Sequence, residues 1–332
     1  MKKIRVAING FGRIGRTIAR LLAEDEQIVL VAINDLHDAD VLSHLLKYDS
    51  THGKSPLDFN LNESVLSFGR QKAQFLKESK VSRLPWNELA IDVVLECTGR
   101  YKTKGELQAH LDAGAKKVIL SSPPSDRSMK TVVLGVNEDS LQAEDCIVSN
   151  ASCTTNNAAP MIQILNELCD IESCYITTVH SYTGDQLLQD APHHDWRRGR
   201  AAVESIVPTT TGAAKALTLI FPELNDVIGG CGIRVPVPDG SLTDITCNVK
   251  NPKTAEEINA FFKKAAEGRY KGILEYTEDP IVSRDVIGNH YSCVFDALLT
   301  SVINNMVKIV GWYDNEVGYS SRMIDLCRFM MR

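Results

Sequence analysis

Ile4-Arg5-Val6-Ala7-Ile8-Asn9-Gly10-Phe11-Gly12-Arg13-Ile14-Gly15 sets an apolar run directly against three glycines spaced Gly-x-Gly-x-x-Gly. A helical pattern follows through Ile18, Leu21 and Leu22. A second apolar run, Ile28 to Ile33, then ends at Asn34-Asp35, with the acid twenty residues after the last glycine. Strand, glycine turn, helix and second strand make the first unit of a doubly wound parallel sheet. Glycines let the backbone approach a pyrophosphate at a helix N-terminus, and the acid accepts hydrogen bonds from ribose hydroxyls. Gly10, Phe11, Gly12 and Asp35 are therefore candidate dinucleotide contacts. A carboxylate at position 35 repels a 2′-phosphate, which favours NAD over NADP. The competing reading of the glycines is a turn used only for helix–sheet packing.

Alternation continues downstream. Ile91 to Leu95 reads as a buried strand ending in Glu96-Cys97-Thr98-Gly99, Lys104 to Ala113 as a helix, and Lys117 to Leu120 as a strand ending in Ser121-Ser122. Open parallel sheets bind ligands beyond the carboxyl ends of their strands, which brings Thr98, Gly99 and Ser121 to the cofactor side. Asp49 to Trp86 shows no regular pattern.

A chain of 332 residues accommodates two domains, each with its own core. A net charge of −6 argues against nucleic acid and anionic membranes as general partners, and no apolar run is long enough to span a membrane. Nine cysteines, an odd number with no C-x-x-C, point to reduced thiols. With an N-terminus that enters a strand without a signal-like segment, they lead to the expectation of a cytoplasmic protein. No Cys/His cluster has the spacing of metal ligands, so no metal is expected.

Ser149-Asn150-Ala151-Ser152-Cys153-Thr154-Thr155-Asn156-Asn157 places one cysteine where a strand gives way to a helix. The first helical turn offers unpaired N–H groups and partial positive charge, which favour a thiolate and hold an oxyanion. Ser152 and Thr154 add short donors for phosphate or carbonyl oxygens. The alternative is a capped helix with an ordinary buried cysteine. Pro160 either kinks that helix or costs it a hydrogen bond. A nucleophile needs a base, and His180 stands at the end of the strand Cys174 to Val179. A long irregular stretch to about Ser205 carries Arg197-Arg198-Gly199-Arg200. Pro208-Thr209-Thr210-Thr211-Gly212-Ala213-Ala214-Lys215 is a second hydroxyl-rich helix start and an anion site. Arg234 sits in a proline-rich strand and is suited to a bidentate phosphate contact. Leu242 to Val249, Tyr291 to Val302 and Met306 to Trp312 read as a mostly antiparallel sheet. Helices are expected at Ala255 to Ala266 and Val317 to Met330.

The motifs NGFGRIG (Asn9–Gly15), SNASCTTN (Ser149–Asn156), HSYT (His180–Thr183), PTTTGAAK (Pro208–Lys215), RVP (Arg234–Pro236) and WYDNEVG (Trp312–Gly318) occur in this order. Together they make the chain closely resemble the phosphorylating glyceraldehyde-3-phosphate dehydrogenases over essentially its full length. The resemblance implies a Rossmann NAD-binding domain of residues 1–150 completed by a C-terminal helix in 315–332, an α+β catalytic domain of residues 151–314, and a homotetramer. It implies Cys153 as nucleophile and His180 as base, with Arg13, Ile14, Asp35, Ser121 and Asn315 on NAD. Ser152, Thr154, Thr183, Arg198, Thr211, Gly212 and Arg234 would hold substrate phosphate and inorganic phosphate. The implied reaction runs through a hemithioacetal and a thioester to 1,3-bisphosphoglycerate.

The chain departs from the family pattern in places. Asn157 stands where many members carry a second cysteine, and Val317 replaces a commoner tryptophan. Ala191 fills a place where NAD-preferring members often have leucine, which leaves room for some NADP use. The arginine–aspartate pair usual before Leu84-Pro85-Trp86 is missing. Two rival functions remain: erythrose-4-phosphate dehydrogenase, which hydrolyses the thioester, and a non-catalytic NAD-binding relative.

Overall fold

A computed structural model describes residues 3–332. The chain divides into two compact units. One contains the residues up to Val132 with Asp139–Ala151 and Ser320–Arg332; the other contains Val133–Glu138 and Ser152–Tyr319.

In the first unit, β1 (Ile4–Asn9), α1 (Arg13–Leu22), β2 (Ile28–Asn34) and α2 (Ala39–Lys47) follow the expected alternation. The stretch without sequence pattern resolves into a small hairpin, β3 (Tyr48–Asp49) with β4 (Gly53–Lys54), and three longer strands. These are β5 (Phe59–Asn62), β6 (Val65–Phe68) and β7 (Gln71–Leu76). Then come β8 (Val93–Glu96), α3 (Lys104–Asp112), β9 (Lys117–Leu120), β10 (Lys130–Thr131) and β11 (Ile147–Ser149). The nine-stranded sheet has the order β10-β11-β9-β8-β1-β2-β7-β6-β5. It is parallel from β10 to β7, and β6 and β5 add an antiparallel edge. The chain runs outward from β1 through β2 on one side and from β8 on the other. The β1/β8 junction is therefore the topological switch point, where ligands bind beyond the strand ends.

Two glycines of the opening motif are required by contact. A Cβ on Gly10 (φ +92°) would lie 2.5 Å from the Thr98 nitrogen, and one on Gly15 would lie 2.3 Å from the Gly10 oxygen. The core beneath is built from Val94, Leu107, Val118 and the fully buried Trp86. Truncating a buried tryptophan of this kind to alanine costs about 3–5 kcal/mol. Helix α3 starts on a reciprocal capping box between Thr103 and Glu106.

The second unit opens with α4 (Cys153–Cys169). It continues through β12 (Ile171–Ser181), β13 (Val207–Thr209), α5 (Ala213–Ile220), β14 (Ile228–Val235), β15 (Ser241–Val249) and α6 (Ala255–Glu267). It ends with β16 (Leu274–Thr277), β17 (Cys293–Asp296), β18 (Ser301–Ile303), β19 (Met306–Tyr313) and α7 (Val317–Met330), the last of which carries the chain back into the first unit's residues. Its sheet runs β13-β14-β12-β15-β19-β17-β16, with β18 on β19. Antiparallel pairs dominate; β12/β14 and β16/β17 are parallel. The expected strand Tyr291 to Val302 is two short strands, because Ala297–Leu299 form a 3₁₀ turn capped by Asp296. Pro160 does not end α4. Ala158, Ala159, Met161, Ile162, Ile164 and Leu165 are buried on both sides of it, and tertiary packing outweighs the missing hydrogen bond. Among the described residues, no helix is long and apolar enough to cross a membrane.

Candidate active site

Cys153 is the first residue of α4, and Ser152 is its N-cap, its hydroxyl accepting from the Thr155 N–H at 3.1 Å. Ala151 just before it takes a left-handed backbone (φ +56°). For a residue with a Cβ this is a strained form that surrounding structure must enforce. Residue 180 enters from the end of β12, and its Nε2 lies 3.3 Å from the Cys153 sulfur. Its Nδ1 is 2.8 Å from the Ser181 carbonyl, which can only accept. Arg234 Nη1 also stands 3.3 Å from this nitrogen but gives its protons to nearer acceptors. The shorter contact to the carbonyl thus holds the ring proton on Nδ1, and the Nε2 lone pair faces the thiol.

Burial pushes the Cys153 thiol up to about 11, against the pull of the Arg234 cation and the N–H groups at the helix start. Burial, together with Arg234, pushes the His180 imidazole down to about 3. Neither group carries an isolated charge cheaply. Both rest neutral, and the short Sγ–Nε2 contact is the route by which one proton shift would form thiolate and imidazolium together, each shielding the other.

Arg234 projects from β14, directly opposite His180 in the parallel register. Its Nη1 donates to the Ser181 carbonyl at 3.0 Å and to Thr183 Oγ1 at 2.8 Å. Thr183 in turn donates to Asp185, which also takes Arg198 Nη1 at 2.5 Å. Burial works to raise Asp185, but the Thr183 hydroxyl, Arg234 and Arg198 hold its carboxyl below the usual range. Arg198 Nε reaches Thr209 Oγ1 at 3.0 Å. The structure thus gathers Thr183, Arg198 and Arg234 around one acid that sequence reasoning missed, although Asp185 lies only two residues beyond the HSYT motif. Thr211 Oγ1 accepts from the Ala213 N–H at 3.2 Å, which leaves its proton for an anion, and Gly212 is the N-cap of α5.

Thr154 turns its hydroxyl to Tyr313, with the two oxygens 2.9 Å apart. Tyr313 also meets Thr178 Oγ1 at 2.9 Å, and Thr178 donates to the Leu242 carbonyl at 3.1 Å. Tyr313 therefore donates to Thr178 and accepts from Thr154. Its buried ring stands edge-on to His180, with centroids 6.0 Å apart. Tyr313 lies within the quoted WYDNEVG motif, but only the fold shows what it touches. Asn315 accepts on Oδ1 from Ser181 at 2.9 Å and Ser241 at 2.7 Å, so its NH₂ is the end left to a ligand. Asn157 donates to the Trp312 carbonyl at 3.2 Å from a fully buried position.

The first unit carries a cavity of about 320 Å³ at the switch point, lined by Asn9, Gly10, Gly12, Asp35, Cys97 and Thr98 among others. The Asp35 carboxylate accepts from the Phe11 N–H at 2.8 Å and the His37 N–H at 3.0 Å. Burial works to raise it, but these N–H groups and the His37 ring hold it below the usual range. It is thus an ionised acceptor pinned at the end of β2, suited to ribose hydroxyls. Gly99 (φ +67°) continues the loop from Thr98, and Ser121 ends β9 with its N–H on the Glu96 carbonyl at 2.9 Å. Arg13 pairs with Asp49 at 3.1 Å, and Ile14 is half-buried on α1.

The sequence matches the family model of the glyceraldehyde 3-phosphate dehydrogenase NAD binding domain over residues 4–104, and that of the C-terminal domain over residues 152–315. It is 51% identical to glyceraldehyde-3-phosphate dehydrogenase of Mycobacterium avium over 330 residues, covering 97% of each chain. It is 50% identical to glyceraldehyde-3-phosphate dehydrogenase 1 of Streptomyces avermitilis, again over 97% of each chain. The chain belongs to the glyceraldehyde-3-phosphate dehydrogenase family. A family member from Geobacillus stearothermophilus is 47% identical over 98% of each chain. The match to the C-terminal domain begins at Ser152, so the N-cap and Cys153 open the glyceraldehyde-3-phosphate dehydrogenase C-terminal domain in this chain.

Proposed function

We propose that this site oxidises glyceraldehyde 3-phosphate by covalent catalysis on Cys153 and passes the acyl group to inorganic phosphate. The substrate is glyceraldehyde 3-phosphate and the cofactor is NAD. The observation that carries the mechanism is the 3.3 Å contact between Cys153 Sγ and His180 Nε2, with Nδ1–H already committed to Ser181.

His180 takes the thiol proton, and the sulfur adds to the aldehyde carbon to give a hemithioacetal. The N–H groups at the start of α4 face the developing oxyanion, and the imidazolium returns the thiol proton to it, leaving a hemithioacetal hydroxyl and a neutral imidazole. NAD, when bound, supplies the hydride acceptor; Gly10, Gly12, Asp35 and Thr98 are the residues that would hold it, with Arg13, Ile14, Gly99, Ser121 and Asn315 as further contacts. His180 accepts the hydroxyl proton as the carbon is oxidised, and the acyl group remains on sulfur as a thioester. Arg234 and Thr183 hold substrate phosphate, while Thr211, Gly212 and Arg198 receive the attacking phosphate. Ser152 and Thr154 contribute mainly through the helix start they cap and brace.

The exposed apolar residues Leu188, Ile206 and Trp196 (72%, 69% and 88% exposed) lie in or beside the long segment after Thr183 and support its use as an interface in a homotetramer. All nine cysteines are free, which supports a reducing, cytoplasmic setting. The test is NADH formation from glyceraldehyde 3-phosphate and erythrose 4-phosphate, with and without inorganic phosphate. Strict phosphate dependence on the three-carbon aldehyde supports the reading. Phosphate-independent turnover of the four-carbon sugar overturns it. Light scattering on the native protein tests the tetramer of 36.7 kDa chains.

A further inference from the structure

Glu96, the last residue of β8, is fully buried at the switch point between β1 and β8, and the mechanism above does not use it. Four donors converge on its carboxylate. Oε1 accepts from the Thr98 N–H at 2.8 Å and the Thr98 hydroxyl at 2.5 Å. Oε2 accepts from Asn9 Nδ2 at 2.6 Å and meets His110 Nε2 at 3.0 Å.

The direction of each bond is pinned from behind. Trp86 Nε1–H, which can only donate, meets His110 Nδ1 at 3.0 Å, so the ring proton of His110 sits on Nε2 and points at Glu96. Asn9 cannot turn its amide over, because its Oδ1 accepts from Asn34 Nδ2 at 2.7 Å. Asn34 is itself fixed on both amide atoms by the Glu78 backbone. The Thr98 hydroxyl accepts from the Arg100 N–H at 3.1 Å, which leaves its proton for Glu96. Every polar atom that reaches the carboxylate is a donor, the pattern that suits an acceptor-only group.

This arrangement bears on the cavity. Asn9, Cys97, Thr98 and Arg100 line it, and Thr98 presses against Gly10 so closely that no Cβ fits between them. We propose that Glu96 is the positioning residue of the dinucleotide cavity: its buried carboxylate fastens the Cys97–Arg100 loop and the end of β1 in the shape NAD requires, with His110 and Trp86 orienting it from behind. The inference rests on this cavity being the NAD site.

Glu96→Gln tests it. An amide offers one acceptor and one NH₂, so either orientation sets N–H groups against two fixed donors and releases part of the loop. NAD affinity of the full-length apo protein is measured by calorimetry, beside KM and kcat and the apo Tm. The expected result is a rise in NAD Kd and KM of about tenfold or more, well beyond any change in kcat at saturating NAD. Trp86→Phe, which keeps a ring but removes the N–H, raises Kd about two- to fivefold by the same route. Asp35→Ala serves as the control for the cavity. If Asp35→Ala weakens NAD and Glu96→Gln does not, or lowers only the Tm, the positioning role is overturned. If neither changes NAD affinity, the cavity is not the cofactor site and both readings fall. Should Glu96→Gln fail to fold, Trp86→Phe is read by the same criteria.

Discussion

His180 presents an unprotonated Nε2 to the Cys153 sulfur at 3.3 Å because its other nitrogen is already bonded to the Ser181 carbonyl at 2.8 Å. The ring is aimed and its tautomer chosen by the strand that carries it. Cys153→Ser is expected to abolish turnover. His180→Asn, which removes the base but keeps a polar side chain, is expected to lower kcat by roughly 10²–10⁴-fold. Steady-state assays on both variants check this, and a histidine variant with wild-type kcat would remove His180 from the mechanism.

Arg234 acts on both members of the pair with opposite consequences. Burial is the larger influence on each, but the guanidinium lowers the thiol and also lowers the imidazole. Arg234→Leu therefore leaves Cys153 harder to ionise and His180 easier to protonate. These effects oppose each other in the proton shift between the pair, but loss of the thiol proton to solvent depends on Cys153 alone. The alkaline rise of iodoacetamide alkylation at Cys153 should therefore move up by about half to one pH unit, a three- to tenfold change in solvent-ionised thiolate at a given pH. An unchanged alkylation rate across the pH range would show that Arg234 serves substrate phosphate alone.

The depressed imidazole also has a stability consequence. Its folded value of about 3 lies below the ordinary 6.5, so below 6.5 the unfolded chain binds a proton that the folded chain refuses. The contribution is fully present above 6.5 and is lost as pH falls toward about 3. In His180→Gln the fall of unfolding free energy with acid should be shallower, by up to about 1.4 kcal/mol per pH unit in that window. Urea titrations at several pH values read the slope directly; parallel slopes in the two proteins would contradict the assignment.

Tyr313 joins α4 to β12 through its hydroxyl, between Thr154 and Thr178. Tyr313→Phe strips a buried donor and acceptor from two threonines and is expected to cost about 1–3 kcal/mol of stability. It should also lower kcat, because Thr154 follows Cys153 directly. Chemical denaturation and steady-state kinetics on one preparation test both parts.

Asp35 combines two tasks, holding the Phe11 N–H and presenting a negative charge to the cavity. Asp35→Asn keeps the acceptor and removes the charge. The ratio of kcat/KM for NADP over NAD should rise roughly tenfold, equivalent to about 1.4 kcal/mol of relieved repulsion. A ratio that does not move would show that Ala191 or another position governs the choice of cofactor.

Much of this protein is legible from neighbours along the chain. The strand–glycine–helix run at Ile4 to Leu22, the acid at 35 and the cysteine at the start of α4 each declare themselves within a few residues, because turns, caps and helix starts are local constraints. The region between Asp49 and Trp86 was opaque. The strands β5, β6 and β7 are short, and they are stabilised by pairing in series, β7 onto β2, β6 onto β7 and β5 onto β6, more than by their own periodicity. Likewise, nothing local announces that α4 passes through Pro160.

Residue type and spacing by themselves brought out the cofactor class and singled out Cys153 and His180, and the motif resemblance is what implied a nucleophile and a base there. Only the tertiary structure decided which atoms of these groups are free to react. The bonds that settle it join residues far apart in sequence: Trp86 with His110 and Glu96 with Asn9, Tyr313 with Thr154, Arg234 with Thr183. A side chain's hydrogen-bond direction depends on partners that the chain brings together only by folding.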